Sequence, residues 1–289
     1  MMPLQLHQNI NLLFLLIVGS FVANIHLNWV DIVFILAFTL FIEHLFLFFN
    51  KKRAFYFSYS AISTAVGVIV LMYSTKLWIY FVVIALGLFQ KHFLTIRGKH
   101  FFNPSNFSLM MALLLFYNDA HMVLGQLGDE LWLSVIVFIV AGIMLVRVDR
   151  WVIPLVFIVS YLVFQYLLVL SYDPVMIFED VYLRFYSVTF MLFIYFMLTD
   201  PPVTPSSHKE QIVFAMLVAL MATLLDRYFG YRVQHLFMSV FFFSFFVHYR
   251  IFKTLSSSEI KYVMTILLFM IGVLFYVELQ PPYYFEMNG

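Results

Sequence analysis

Two polar segments interrupt an otherwise apolar chain, and their residue types are those of a binding site. The first is Arg97-Gly98-Lys99-His100-Phe101-Phe102-Asn103-Pro104-Ser105-Asn106; the second is Leu198-Thr199-Asp200-Pro201-Pro202-Val203-Thr204-Pro205. Each follows one apolar stretch directly and precedes another. Asn103, Asp200 and Thr204 each stand before a Pro, which lacks a backbone donor and drives its predecessor out of the α region. Neither segment is therefore expected to continue the helix before it. Unwound backbone near membrane depth survives only where it is buried in protein or lines a wet cavity. Breaks at matching places in two halves of a chain point to a binding site. The plainer alternative is a pair of loops that cap the helices after them, with Ser105 or Asn106 as an N-cap. Glu43 and His44 lie inside an apolar stretch, where ionisable groups are costly and mark an ion or proton path. Their alternative is a hydrogen bond to neighbouring helices with Glu43 protonated. Asp226 and Arg227 are expected to pair at a helix end.

The elements that position these residues follow from composition. Of 289 residues, 64% are hydrophobic and 11% charged, with 37 Phe, 18 Tyr and 16 Met and a mean hydropathy of +0.98. Soluble domains carry about 25% charged residues, and no soluble fold of this size hides so much apolar surface. The chain is an all-α integral membrane protein. Eleven apolar stretches run roughly over 10–26, 29–49, 55–73, 77–94, 106–117, 131–147, 151–171, 184–198, 211–226, 232–252 and 262–278. The fifth is short, and Asn103-Pro104 before it suggests a broken approach. The run from Ile10 to Val22 follows a start without Lys or Arg and reads as a first span rather than a cleavable signal.

Alternating the spans from a cytoplasmic N-terminus puts twelve of the sixteen Lys and Arg residues inside, Lys51, Lys52 and Arg53 among them. Lys76, Arg184, Arg227 and Arg232 remain outside, where acids gather, as the positive-inside rule requires. The absence of Cys excludes disulfides and thiolate-held clusters, and a net charge of +1 gives no nucleic-acid footprint. His235 and His248, thirteen residues apart on one expected helix, face different ways and make a poor haem pair.

The two polar segments resemble motifs of one family, the RnfD/NqrB membrane proteins. Its members belong to the Rnf electron-transport complex and to the sodium-translocating NADH:quinone oxidoreductase. The first segment is similar to the Gly- and Asn-Pro-containing motif of that family, and the second resembles its Thr-Asp-Pro-x-x-x-Pro segment. Gly125-Gln126-Leu127-Gly128-Asp129-Glu130 resembles its Gly-x-x-Gly-Glu turn, with Asp129 in place of the Glu. Trp151-Val152-Ile153-Pro154 resembles its Trp-x-x-Pro helix start, and Arg227-Tyr228-Phe229-Gly230-Tyr231 its Arg-x-x-Gly-Tyr turn. The five motifs come in family order over roughly residues 60 to 250. The first is also similar to shorter relatives found with enediyne biosynthesis genes.

The resemblance implies ten or eleven spans in two related halves, with a urea-transporter-like architecture. Here the halves run over about 29–127 and 131–252, with an extra helix at 262–278, all in one membrane domain of residues 1–289. It implies a multi-pass protein of the bacterial cytoplasmic (inner) membrane. It further implies a flavin that passes electrons to or from quinone or a redox partner, such as an FMN-binding protein, coupled in some complexes to sodium ions or protons. Covalent FMN attaches in the family through Thr in a Ser-x-Ala-Thr motif, on an insertion before the Gly-x-x-Gly-Glu turn. Here that interval is only Phe116 to Leu124, without Ser or Thr, so covalent FMN is not expected. Non-covalent riboflavin or FMN remains, as part of an oxidoreductase or translocase complex. For it, Asn103, Asn106, Asp200 and Thr204 supply polar contacts, Phe102 and Tyr195 the faces, and Arg97 or Lys99 the charge that favours a reduced, anionic ring. The competing readings are a small-solute permease or channel of related architecture, and a scaffold that anchors a redox partner.

Overall fold

The computed structural model describes residues 4–22, 25–50, 58–124, 126–128, 131–171 and 178–281. Lys51, Lys52 and Arg53 lie outside the described residues, as do Gly125, Asp129 and Glu130 of the Gly-x-x-Gly turn. The helices are α1 (Leu4–Val22), α2 (Trp29–Phe49), α3 (Tyr59–Leu71), α4 (Leu77–Phe93), α5 (Pro104–Leu115), α6 (Leu131–Arg147) and α7 (Val152–Ser171). They continue as α8 (Phe178–Leu183), α9 (Val188–Leu192), α10 (His208–Phe229), α11 (Gln234–Phe246), α12 (Tyr249–Phe252) and α13 (Ser257–Leu279). Among the described residues, strands are confined to two-residue antiparallel ladders: β1 (Met72–Tyr73) with β4 (His121–Met122), and β2 (Thr95–Ile96) with β3 (Lys99–His100).

The burial pattern is that of a protein solvated by lipid. Helices α2, α7, α10 and α13 are long and apolar enough to cross a bilayer, and several shorter apolar helices accompany them. Their outward faces are apolar: Phe34, Phe41 and Phe48 on α2, Leu155, Val159 and Leu170 on α7, and Leu268, Phe275 and Leu279 on α13 are all exposed. In water such a surface would aggregate; in hydrocarbon it is the correct exterior. The polar side chains turn inward instead, and Glu43, Gln90, Gln165, Gln211 and His235 are fully buried.

Three short helices make the centre. Helix α5 has 12 residues and α11 has 13, about 18–20 Å at 1.5 Å per residue, against a hydrocarbon core of about 30 Å. Neither crosses alone. They meet each other: Phe102, just before α5, stacks on Phe241 of α11 with centroids 4.4 Å apart, and Asn106 Nδ2 donates to the Phe237 carbonyl at 3.1 Å. Helix α3 packs behind α5. The order of packing repeats along the chain: α2 lies on α4 and α4 on α5, then α7 lies on α10 and α10 on α11.

Two stretches that read as single helices are divided. The stretch at 184–198 is a 3-10 turn (Arg184–Tyr186), then α9, then a π-helical turn (Phe193–Met197). The cause lies ahead of it, where Pro201 and Pro202 cannot donate and Thr199 Oγ1 bonds the Tyr195 carbonyl at 2.6 Å. The stretch at 232–252 divides between α11 and α12, where His248 turns out of register and its Nε2 takes the His100 carbonyl at 2.9 Å.

Candidate functional site

After α4 the chain reverses through β2 and β3. Arg97 and Gly98 form the turn with φ of 49° and 79°, the paired positive values of a type I′ hairpin, which Gly98 adopts without steric cost. The turn carries the Arg97 guanidinium outward, where it bonds Glu259 through Nε at 3.1 Å and the Thr254 carbonyl through Nη2 at 2.8 Å. Arg97 therefore ties the hairpin to the start of α13. Lys99, in β3, is exposed as well, and neither cation lines the cavity described below.

The returning strand delivers Phe101 and Phe102, both fully buried, and then Asn103. Its extended backbone and side chain cap α5: Oδ1 accepts the Asn106 N–H at 3.0 Å, with Pro104 in the first turn. The cap thus lies ahead of Ser105 and Asn106, because the residue before Pro is already extended. Two glycines bring α5 close. A Cβ on Gly87 of α4 would stand 2.5 Å from the Pro104 carbonyl, and one on Gly67 of α3 would stand 2.7 Å from Ser105 Oγ.

The second segment leaves the π-helical turn in the same manner. Asp200 is extended before Pro201, and its carbonyl accepts Thr204 Oγ1 at 2.9 Å and the Val203 N–H at 3.1 Å. Its side chain reaches the first segment, where Asn103 Nδ2 donates to Asp200 Oδ2 at 2.8 Å. Two breaks 97 residues apart are joined by one hydrogen bond, and a cavity of about 450 Å³ opens beside it. Ser60, Thr64, Lys91, Asn103, Thr199 and Asp200 give it polar groups; Leu145, Leu192, Tyr195, Phe196 and Met197 give it apolar walls.

Of the residues singled out from sequence, Asn103, Asp200 and Tyr195 line this cavity. Asn106 lies one turn into α5 and is spent on the Phe237 carbonyl. Thr204 faces Arg150, whose Nε donates to its Oγ1 at 3.1 Å. Phe102 is taken up in the stack with Phe241. Glu43 is adjacent rather than lining: it is fully buried and accepts from Lys91 Nζ at 2.6 Å, His92 Nε2 at 2.8 Å and Ser58 Oγ at 2.9 Å. His44 turns its Nδ1 to the Leu40 carbonyl at 2.6 Å on its own helix.

Sequence reasoning missed Lys91, which is both a cavity residue and the partner of Glu43, and whose Nζ also bonds Ser60 Oγ at 2.5 Å. A signal existed. A buried carboxylate needs a cation, and Lys91 ends the helix that packs on α2.

Asp200 lies in the loop between two spans. Burial pushes its carboxyl up to about 6, against the pull of the Asn103 N–H and the Lys91 ammonium. An acid that holds its proton more firmly folded than unfolded favours the fold at low pH. That contribution is lost as pH rises from about 4 through about 6. Thermal unfolding in detergent is expected to show wild type losing stability across this window relative to Asp200→Asn. Parallel profiles would refute the assignment.

Residues 117–253 match the NQR2, RnfD, RnfE family. This match supports the RnfD/NqrB-like assignment and, with it, a membrane subunit of an Rnf- or Nqr-type complex. No curated protein matches the chain. The family match takes in the Trp-x-x-Pro start of α7, the Asp200 segment and the Arg-x-x-Gly-Tyr turn. The Asn103 segment lies before it and joins the matched part through the Asn103–Asp200 and Asn106–Phe237 hydrogen bonds and the Phe102–Phe241 stack.

Proposed function

We propose that this chain is the electron-carrying membrane subunit of an Rnf/Nqr-type system, with a non-covalent flavin, riboflavin or FMN, in the cavity beside Asn103 and Asp200. The observation that carries the reading is the convergence of both broken segments on that one cavity. Its volume lies within the range of small-molecule sites. Its donor set also suits a flavin: an amide, a carboxyl and hydroxyls for a polar ring edge, and apolar and aromatic walls for the faces. When bound, the flavin would supply the redox chemistry. The chain's residues orient and tune it. Lys91 contributes a positive charge at the cavity wall and is itself fixed by Glu43 and Ser60. Asn103, rigid as the cap of α5, aligns Asp200. Glu43 and His44 are proposed to serve an ion or proton path, with Lys91 and His92 as the groups that Glu43 touches. The redox partner is proposed to be an extracytoplasmic or membrane one, such as an FMN-binding protein, or quinone.

Asn103→Ala removes both the cap and the hydrogen bond to Asp200. It is expected to lower flavin content at least tenfold, while Asn106→Ala, which sits outside the cavity, lowers it far less. Chromatography of acid-released flavin checks this. Equal content in wild type and Asn103→Ala would reject the site. The small-solute permease reading takes support from the short turn at residues 116–124, which closes onto β1 through β4 and leaves no insertion for covalent flavin. It predicts solute flux in proteoliposomes and a colourless chain.

A further inference from the structure

A second cluster of ionisable side chains takes no part in the cavity. Asp226 closes α10, His235 opens α11 and Glu278 ends α13; their side chains are 1%, 0% and 7% exposed. From His208 to Asp226 is 18 residues of helix, about 27 Å, so the cluster lies at the far end of α10 from the Asp200 loop. His235 Nδ1 is 2.6 Å from Asp226 Oδ1, and its Nε2 is 3.2 Å from Glu278 Oε1. Asp226 is well satisfied: Gln165 Nε2 donates to Oδ2 at 2.6 Å and the Arg232 backbone N–H to Oδ1 at 3.2 Å. Glu278 is not. Among the described residues, neither of its oxygens has a hydrogen-bond partner, and the facing His235 Nε2 has none either.

A proton relieves that contact. With Nδ1–H donated to Asp226, a neutral imidazole presents a lone pair at Nε2. An ionised Glu278 opposes it with lone pairs of its own. Two acceptors at 3.2 Å in a buried site repel, and a proton between them turns the repulsion into a hydrogen bond. Among the described residues no group of three or more His, Cys, Asp or Glu side chains is arranged to hold a metal ion. The surroundings fit a site that carries net negative charge when empty. Arg184 donates through Nη1 to Tyr161 OH at 2.9 Å and covers the Tyr231 ring at 3.5 Å, within Coulombic range of Asp226. Arg232 bonds the Gln280 carbonyl at 3.4 Å, and Tyr117 lies within range of Arg232 and Glu278. Gln165 and Tyr161 are the polar groups that α7 turns toward it.

We propose that Asp226, His235 and Glu278 form a buried proton-binding site, loaded by one proton held between His235 Nε2 and Glu278 Oε1. Loading takes the proton from hydronium at the nearby end of the bundle, leaving water, and changes the charge of the trio from −2 to −1. Release reverses it. The site stands independently of the flavin reading, because its groups touch neither Asn103 nor Asp200.

Infrared difference spectroscopy of the lipid-reconstituted chain, stepped between acid and alkaline buffer, tests it. Wild type is expected to show a reversible one-proton change in the carboxylic C=O stretch or the imidazolium ring modes. Glu278→Gln is expected to lose that change, and surface Glu210→Gln to keep it. No such change in wild type, or the same change in Glu278→Gln, would overturn the proposal. Should Glu278→Gln not yield a monodisperse protein, Glu278→Asp, which draws the oxygens back from His235, is expected to shift the midpoint of the change. An unmoved midpoint would overturn it equally.

Discussion

Glu43→Ala is expected to cost about 3–5 kcal/mol of stability, the loss that follows when one member of a buried ion pair is removed. Glu43 has no solvent exposure, and its carboxylate accepts from Lys91, His92 and Ser58 at once. Without it, an ammonium with 15% and an imidazole with 5% side-chain exposure remain largely buried with their carboxylate partner gone. Glu43→Gln keeps the shape and some hydrogen bonds and is expected to cost less. The double variant Glu43→Ala/Lys91→Ala is expected to be less damaged than Glu43→Ala alone, because it removes the orphaned charge along with its partner. Thermal unfolding in detergent orders the three. A melting point for Glu43→Ala close to wild type would mean that the ion pair does not hold α2 to α4.

The second large effect is steric. Gly87→Ala is expected to leave little folded protein, since the new methyl would meet the Pro104 carbonyl at 2.5 Å and Ser108 Oγ closer still. A backbone atom at a helix start cannot swing aside, so α5 must move bodily away from α4. Overpacking of a well-filled core costs about 1–3 kcal/mol or more. Any displacement moves Asn103 and with it the tie to Asp200. Gly67→Ala meets only the Ser105 side chain, at 2.7 and 3.0 Å, and is expected to be milder. Gly142→Ala and Gly272→Ala, where a Cβ meets nothing within 4 Å, serve as neutral controls. Yield and monodispersity after extraction give the ranking. Gly87→Ala behaving like Gly142→Ala would show that α4 and α5 are not so closely apposed.

Much of this arrangement is legible in the residues. Apolar length alone sets the bounds of α2, which begins at Trp29 and ends at Phe49 as read, and the Pro-bearing segments break where Pro must break them. Both breaks then face one cavity. What sequence alone conceals is long-range pairing. Arg97 and Lys99 look like site cations because they adjoin Asn103 in the chain, yet a type I′ turn sends Arg97 to α13. Lys91 looks like a marker of topology, yet the packing of α4 on α2 brings it to Glu43 and to the cavity. Asp226 is read with its neighbour Arg227, whereas the fold gives its carboxylate to Gln165 and His235, 61 residues before it and nine after. Each of these depends on which helix lies beside which, and hydropathy is silent on that.

The central claim is that the cavity at Asn103 and Asp200 holds a redox cofactor. Its most direct test is the visible absorbance of the detergent-purified wild-type chain, followed by acid precipitation and quantification of released flavin. About one flavin per chain is predicted, recovered in the supernatant and reduced at least tenfold by Asn103→Ala in protein that remains monodisperse. A well-folded, colourless chain that takes up neither riboflavin nor FMN would contradict the claim and return the cavity to a small solute.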